Sequence, residues 1–160
     1  MEAQQKKFAI TESQVPTSHH KPKQVKIERG KVKSKKQVSN KEWKNQFSDR
    51  LFKFALLTIK IANLLPKTPA GFAIAAQLIK AGTSIGANYI EAQDASSIRD
   101  FIQKLSISLR EAKESGYWLR IIKYSTMLEE SILEDALSEN GEIIAILITS
   151  IKSSKLKNNK

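Results

Sequence analysis

Three constellations carry residue types that could do chemistry. Ser84, Asn88 and Glu91 follow one another at spacings of four and three, so a helix would place a hydroxyl, a carboxamide and a carboxylate on one face. Such a face could form a polar site inside a helical bundle or at a subunit junction. The competing reading is a structural polar motif, a hydrogen-bond set that fixes helix register, with Arg110 or Arg120 as the cation for Glu91 and Glu111 beside Arg110. The structural reading is preferred. The second constellation is the set of carboxylate pairs Glu111/Glu114, Glu129/Glu130 and Glu134/Asp135. A di-metal helical site needs Glu-x-x-His elements projecting inward. The histidines are His19 and His20, two adjacent imidazoles without the remaining ligands. No metal and no cofactor is expected, and the acids read as a solvated face. The chain contains no cysteine, which removes thiolate nucleophiles and disulfides. No serine, threonine or lysine stands with a recognisable base and orienting group, so no catalytic residue is assigned and the chain reads as a non-enzyme.

The third constellation is cationic. Lys21, Lys23, Lys26, Arg29, Lys31, Lys33, Lys35 and Lys36 crowd one short stretch, and Lys152, Lys155, Lys157 and Lys160 follow near the other end. Of the net +11, residues 1–46 contribute +8, residues 47–151 contribute −1 and residues 152–160 contribute +4. Two basic ends on a near-neutral body attract polyanions, whereas the body can self-associate without strong repulsion. Neutralising phosphates would give salt-sensitive, largely sequence-independent binding to RNA or DNA. Trp43, where the basic stretch meets the body, is the aromatic best placed to stack on a base; Tyr117 and Trp118 read as interface or core aromatics. The alternative is a protein–protein scaffold whose tails only confer solubility.

The elements that must position these groups are helices. Residues 1–46 lack a sustained period and contain Pro16 and Pro22, so they are expected to be a disordered basic extension. Ser48–Asp49 reads as a helix start, followed by an apolar stripe at Leu51, Phe54, Thr58, Ile61 and Leu65. Pro66 ends that helix, and Thr68–Pro69 opens the next as a cap with proline at the first helical position. The second helix, over 69–92, is built of small residues. Gly82 and Gly86 within it suggest close approach of another backbone, since each costs about 1 kcal/mol against alanine. A third helix is expected over 96–127, with a seam at Ile98, Ile102, Leu105, Leu109, Ala112, Gly116 and Leu119. A fourth covers 133–155, with Leu133, Leu137, Asn140, Ile144, Leu147 and Ile151 in its seam. The expected organisation is all-α: an antiparallel up-down four-helix bundle over 47–155, the basic extension 1–46 before it and a basic tail 156–160 after it. Apolar residues outside the seams, such as Phe52, Ile107, Tyr117, Ile121 and Ile146, exceed what one bundle core can hide. They call for a second buried surface, most simply between copies of the chain. No stretch approaches roughly 18 uninterrupted apolar residues and no signal peptide is seen, so a cytoplasmic protein without membrane partners is expected.

Ser84-Ile-Gly-Ala-Asn-Tyr-Ile-Glu-Ala92, then Asp100-Phe-Ile-Gln-Lys-Leu-Ser-Ile-Ser-Leu-Arg-Glu-Ala112 and Tyr117-Trp-Leu-Arg120, resemble the bacterial four-helix-bundle family encoded by intervening sequences in 23S ribosomal RNA genes. The resemblance covers about residues 48–155. It implies the same fold, and assembly into ring-shaped homopentamers such as related proteins form. The accessory variability protein of diversity-generating retroelements is similar in fold. That resemblance implies nucleic acid, and by analogy a reverse transcriptase, as partners. The extension 1–46 has no counterpart in a typical member. The body is near-neutral where the retroelement protein is basic, so nucleic-acid contact is expected from the tails.

Overall fold

The computed structural model describes residues 40–158. Four helices follow in order: α1 Asn40–Leu64, α2 Pro69–Gln93, α3 Ile98–Tyr124 and α4 Glu130–Asn158. No strand occurs among the described residues. α1 packs on α2, α2 on α3 and α3 on α4, while α1 and α4 approach each other over a much smaller surface. This is the up-down bundle expected from short connections between amphipathic helices.

Local chemistry sets the breaks. The Thr68 hydroxyl accepts from the Gly71 N–H at 3.1 Å, with Pro69 in the first turn where no N–H is needed. Ser97 accepts from the Asp100 N–H at 3.1 Å, and Asp100 puts a carboxylate at the positive end of α3. α3 ends at Tyr124. The chain reverses through Thr126, which holds a left-handed backbone (φ 52°). The corner is therefore Ser125–Glu129, a few residues before the Glu129–Ser131 corner read from sequence.

α1 begins eight residues ahead of the expected Ser48–Asp49 start. Trp43 stacks on Phe47 with ring centroids 5.5 Å apart, and Phe47 is buried edge-on against Tyr89 of α2 at 4.9 Å. Burying Phe47 anchors the two upstream turns, which no local cap signals. At the other terminus α4 continues to Asn158, three residues beyond the expected Lys155 end.

The core runs the length of the bundle. The stripe Leu51, Phe54, Thr58, Ile61, Leu65 is buried throughout. On α3 the buried row is Leu105, Ser108, Ala112, Ser115, Leu119 and Ile122, which displaces Leu109 and Gly116 from the expected seam. On α4 Ala136 and Ile143 are buried, whereas Leu137 and Ile144 are half-buried. Small side chains take the closest positions because α2 and α3 pack tightly. There the buried Ser108 hydroxyl donates to the Ile85 carbonyl at 2.8 Å. Gly82 has a related reason. A Cβ on it would lie 2.4 Å from Thr58 Oγ1 and 2.6 Å from Thr58 Cγ2, so the close neighbour is a side chain of α1 rather than its backbone. Gly86 lacks that constraint, with Leu51 Cβ at an ordinary 3.6 Å.

Candidate nucleic-acid interface

An even number of antiparallel helices brings the first residue of α1 and the last of α4 to one end of the bundle. The α2–α3 corner lies at that end too. Here Trp43, Phe101, Thr149, Ser150, Ser153, Ser154 and Lys157 line an open groove of ≈ 410 Å³. Trp43 is 41% exposed, with one ring face laid on Phe47. The hydroxyls of Thr149 and Ser154 donate to the Ala145 and Ser150 carbonyls at 2.9 and 2.8 Å, which leaves their lone pairs for an incoming donor. An aromatic face, hydroxyls and an ammonium can together hold a base and its phosphate.

Lys152, Lys155 and Lys157 are exposed on the last turns of α4, and none forms an ion pair among the described residues. They also complement the negative end of the helix dipole. Lys21, Lys23, Lys26, Arg29, Lys31, Lys33, Lys35 and Lys36 lie outside the described residues, as do His19–His20.

The polar motif of α2 and α3 does not converge. Asn88 Nδ2 donates to the Ser84 carbonyl at 2.8 Å, a bond within one helix. Glu91 is exposed and pairs with Lys104 Nζ at 2.5 Å, not with Arg110 or Arg120. Arg110 stands six residues further along α3, about 9 Å at 1.5 Å per residue, and Arg120 about 24 Å, so neither reaches the end of α2. The Glu91 hydrogen bond and charge raise the Lys104 pKa. Arg110 is exposed, and Glu111 is half-buried with its carbonyl accepting the Ser115 hydroxyl at 2.9 Å.

The strongest polar contact went unread in the sequence. Arg50 of α1 forks onto Glu139 of α4, Nε to Oε1 at 2.5 Å and Nη2 to Oε2 at 2.7 Å, and also meets Glu142 Oε2 at 2.5 Å. The hydrogen bonds it donates to Glu139, then to Glu142, raise the guanidinium pKa further. This pairing spans 89 residues of sequence, and nothing local marks it. Tyr89 Oη, Gln93 Oε1 and Asn140 Oδ1 are buried without a hydrogen-bond partner. Burial pushes the Tyr89 phenol up to about 12. Among the described residues, no cluster of three or more His, Cys, Asp or Glu could hold a metal ion, and no helix is long and apolar enough to cross a membrane.

Comparison with known proteins supplies the family. A crystal structure of a protein of unknown function from the S23 ribosomal protein family of Bacteroides thetaiotaomicron is 35% identical, with a TM-score of 0.64. The match covers 68% of this chain and 97% of that one. No curated protein matches the sequence. The 23S rRNA-intervening sequence protein family matches residues 44–149, which contain nearly all of the bundle. The chain belongs to that family of 23S rRNA-intervening sequence proteins.

Proposed function

We propose that this protein is a non-enzymatic, self-associating helical scaffold of the cytoplasm that binds RNA or DNA through its two basic ends. The observation that carries the reading is topological: the residues that join both basic ends to the bundle lie at the same end of it, beside the Trp43 groove. Lysines far apart in sequence then act on one stretch of nucleic acid, while the near-neutral body supplies assembly. Several copies in one particle would multiply weak phosphate contacts into useful avidity. The family resemblance favours a pentamer and makes a reverse transcriptase a candidate partner.

Fluorescence anisotropy with a labelled single-stranded RNA tests this. The full chain should bind at low salt, and log affinity should fall against log salt with a slope of about −0.7 per phosphate neutralised. Deleting residues 1–39, which leaves α1 whole, should abolish most of the binding. Changing Lys152, Lys155 and Lys157 to glutamine should make the slope shallower. No binding by the full chain at low salt would sink the reading.

A second reading has its own support, in the exposed apolar side chains along the flanks of the bundle. They suit a protein–protein scaffold with no nucleic-acid role. Under that reading the deletion leaves partner binding intact.

A further inference from the structure

The outward face of α3 alternates cations and rings. Arg110, Lys113, Tyr117, Arg120 and Tyr124 follow in steps of three, four, three and four, which makes one row along the helix. Tyr117 is 50% and Tyr124 79% exposed. Arg110, Lys113 and Arg120 form no ion pair among the described residues. Neighbouring acids are engaged elsewhere: Glu114 accepts from the Trp118 indole at 3.2 Å, Lys123 holds Glu130, and Arg50 holds Glu139 and Glu142. On the facing wall of α4, Glu134 precedes Leu137 by three residues and Gly141 by seven, so it shares their row. Three unpaired cations against that one carboxylate leave the face positive.

Between the α3 row and α4 lies a groove of ≈ 440 Å³, with Leu137 and Ile144 as its apolar wall and no carboxylate in its lining. Asn140 lies at its base, 4% exposed, and its buried Oδ1 has no hydrogen-bond partner. Its Nδ2 lies on the Gly116 side, where a Cβ would stand 2.4 Å away. A Cβ on Gly141 would meet nothing within 4 Å. Bundle packing therefore does not demand glycine there, although glycine costs a helix about 1 kcal/mol. An unpaired buried carboxamide is costly too, so both features point to an occupant. The Tyr117 ring is held edge-on by Trp118, centroids 5.1 Å apart. Tyr117 and Arg120 also line a second hollow of ≈ 260 Å³, which extends along α3 to Tyr124.

Exposed rings stack on bases, and unpaired cations between them hold phosphates. A half-turn of the amide presents either end of Asn140, and a base edge carries the complementary donor or acceptor. Lys113 and Arg120 stand seven residues apart, about 10 Å along the axis, on either side of Gly116. That spacing suits the phosphates before and after one seated base better than a single small anion. We propose that the α3/α4 groove is a second nucleic-acid site, one that takes an unpaired base of a single strand. The base enters between Tyr117 and Asn140, Lys113 and Arg120 take the flanking phosphates, and the next base reaches Tyr124. Paired bases of a duplex cannot enter. The basic ends hold any phosphate backbone, whereas this groove requires the base, and it involves no tail residue.

Fluorescence anisotropy of the full-length chain tests it with two labelled probes of one length and charge, an oligodeoxyadenylate and an abasic strand. The wild type should favour the adenylate at least about fivefold, the least that one stacked base supplies. Tyr117→Ala and Asn140→Leu should each erase most of that preference and leave abasic binding unchanged. Tyr117 is exposed, and Asn140→Leu removes an unpaired buried amide, so both variants keep their fold, which far-UV circular dichroism checks. Lys113→Gln with Arg120→Gln should make the adenylate salt slope shallower by roughly 0.7 per cation. Equal binding of both probes by the wild type overturns the groove and leaves the tails standing. So does a preference that survives Tyr117→Ala and Asn140→Leu but falls in Trp43→Ala. An oligoglutamate that displaces the adenylate with the same dependence on Tyr117 would make this an acidic-peptide site and overturn the base reading. Adenylate binding without any abasic binding keeps the groove and overturns the tails, and binding of neither probe overturns both.

Discussion

Asn140→Leu should make the bundle more stable. Leucine replaces the carboxamide heavy atom for heavy atom, and Gly116 already leaves the room that the side-chain tip occupies. The native residue is 4% exposed with an unpartnered Oδ1. Leaving a buried acceptor unmade costs about 1–3 kcal/mol, and that cost disappears with the amide. The two methyls also replace polar atoms against Leu137 and Ile144, so a gain of about 1–3 kcal/mol is a conservative expectation. For a domain of this size the melting temperature should rise by roughly 3–8 °C. Thermal melts by circular dichroism, together with the urea midpoint at unchanged m-value, measure it. A melting temperature that is unchanged or lower would refute the reasoning, since Asn140 would then be satisfied by bound water. Light scattering on the same variant adds a second readout. A buried polar residue in a helical seam can fix register and assembly state at a cost in stability, so a gain in stability accompanied by mixed assembly sizes would mark Asn140 as such a device.

Gly82→Ala should destabilise the protein by about 1–2 kcal/mol, because the overpacking cost against Thr58 exceeds the roughly 1 kcal/mol of helix propensity gained. Urea unfolding checks it, with Gly141→Ala, which meets open space, as the variant expected to stabilise the isolated bundle. Arg50→Ala removes the bidentate link on the smallest helix–helix seam and should cost about 1–3 kcal/mol, read from the urea midpoint. For Tyr89, burial raises the folded-state pKa above the unfolded value of 10 to about 12. Its contribution is therefore complete below pH 10 and is lost as pH rises from 10 through 12, where the unfolded chain sheds the phenol proton first. Melts across that window should show a steeper fall for the wild type than for Tyr89→Phe. Equal slopes would mean that the phenol is solvated.

Much of the fold was legible because its signals are local. The stripe Leu51–Leu65, the proline at 66, the Thr68–Pro69 start and the serine cap before α3 each act within a turn or two of chain, so periodicity and capping chemistry find them. The family motif Ser84–Ala92 was equally visible, although its polar residues prove to be an intrahelical hydrogen bond and a surface ion pair. What tertiary structure decided depends on residues far apart in sequence. The two upstream turns of α1 are held by Phe47 against Tyr89, and Arg50 finds Glu139 only once α4 returns alongside α1. Ser108 takes a seam position on α3 because the α2 backbone comes within hydrogen-bond reach of it, a closeness no composition reveals. The alignment of Trp43 with Lys157 is likewise a product of packing. Short-range steric and capping preferences are written residue by residue, whereas the meeting of two surfaces is set by how whole helices pack.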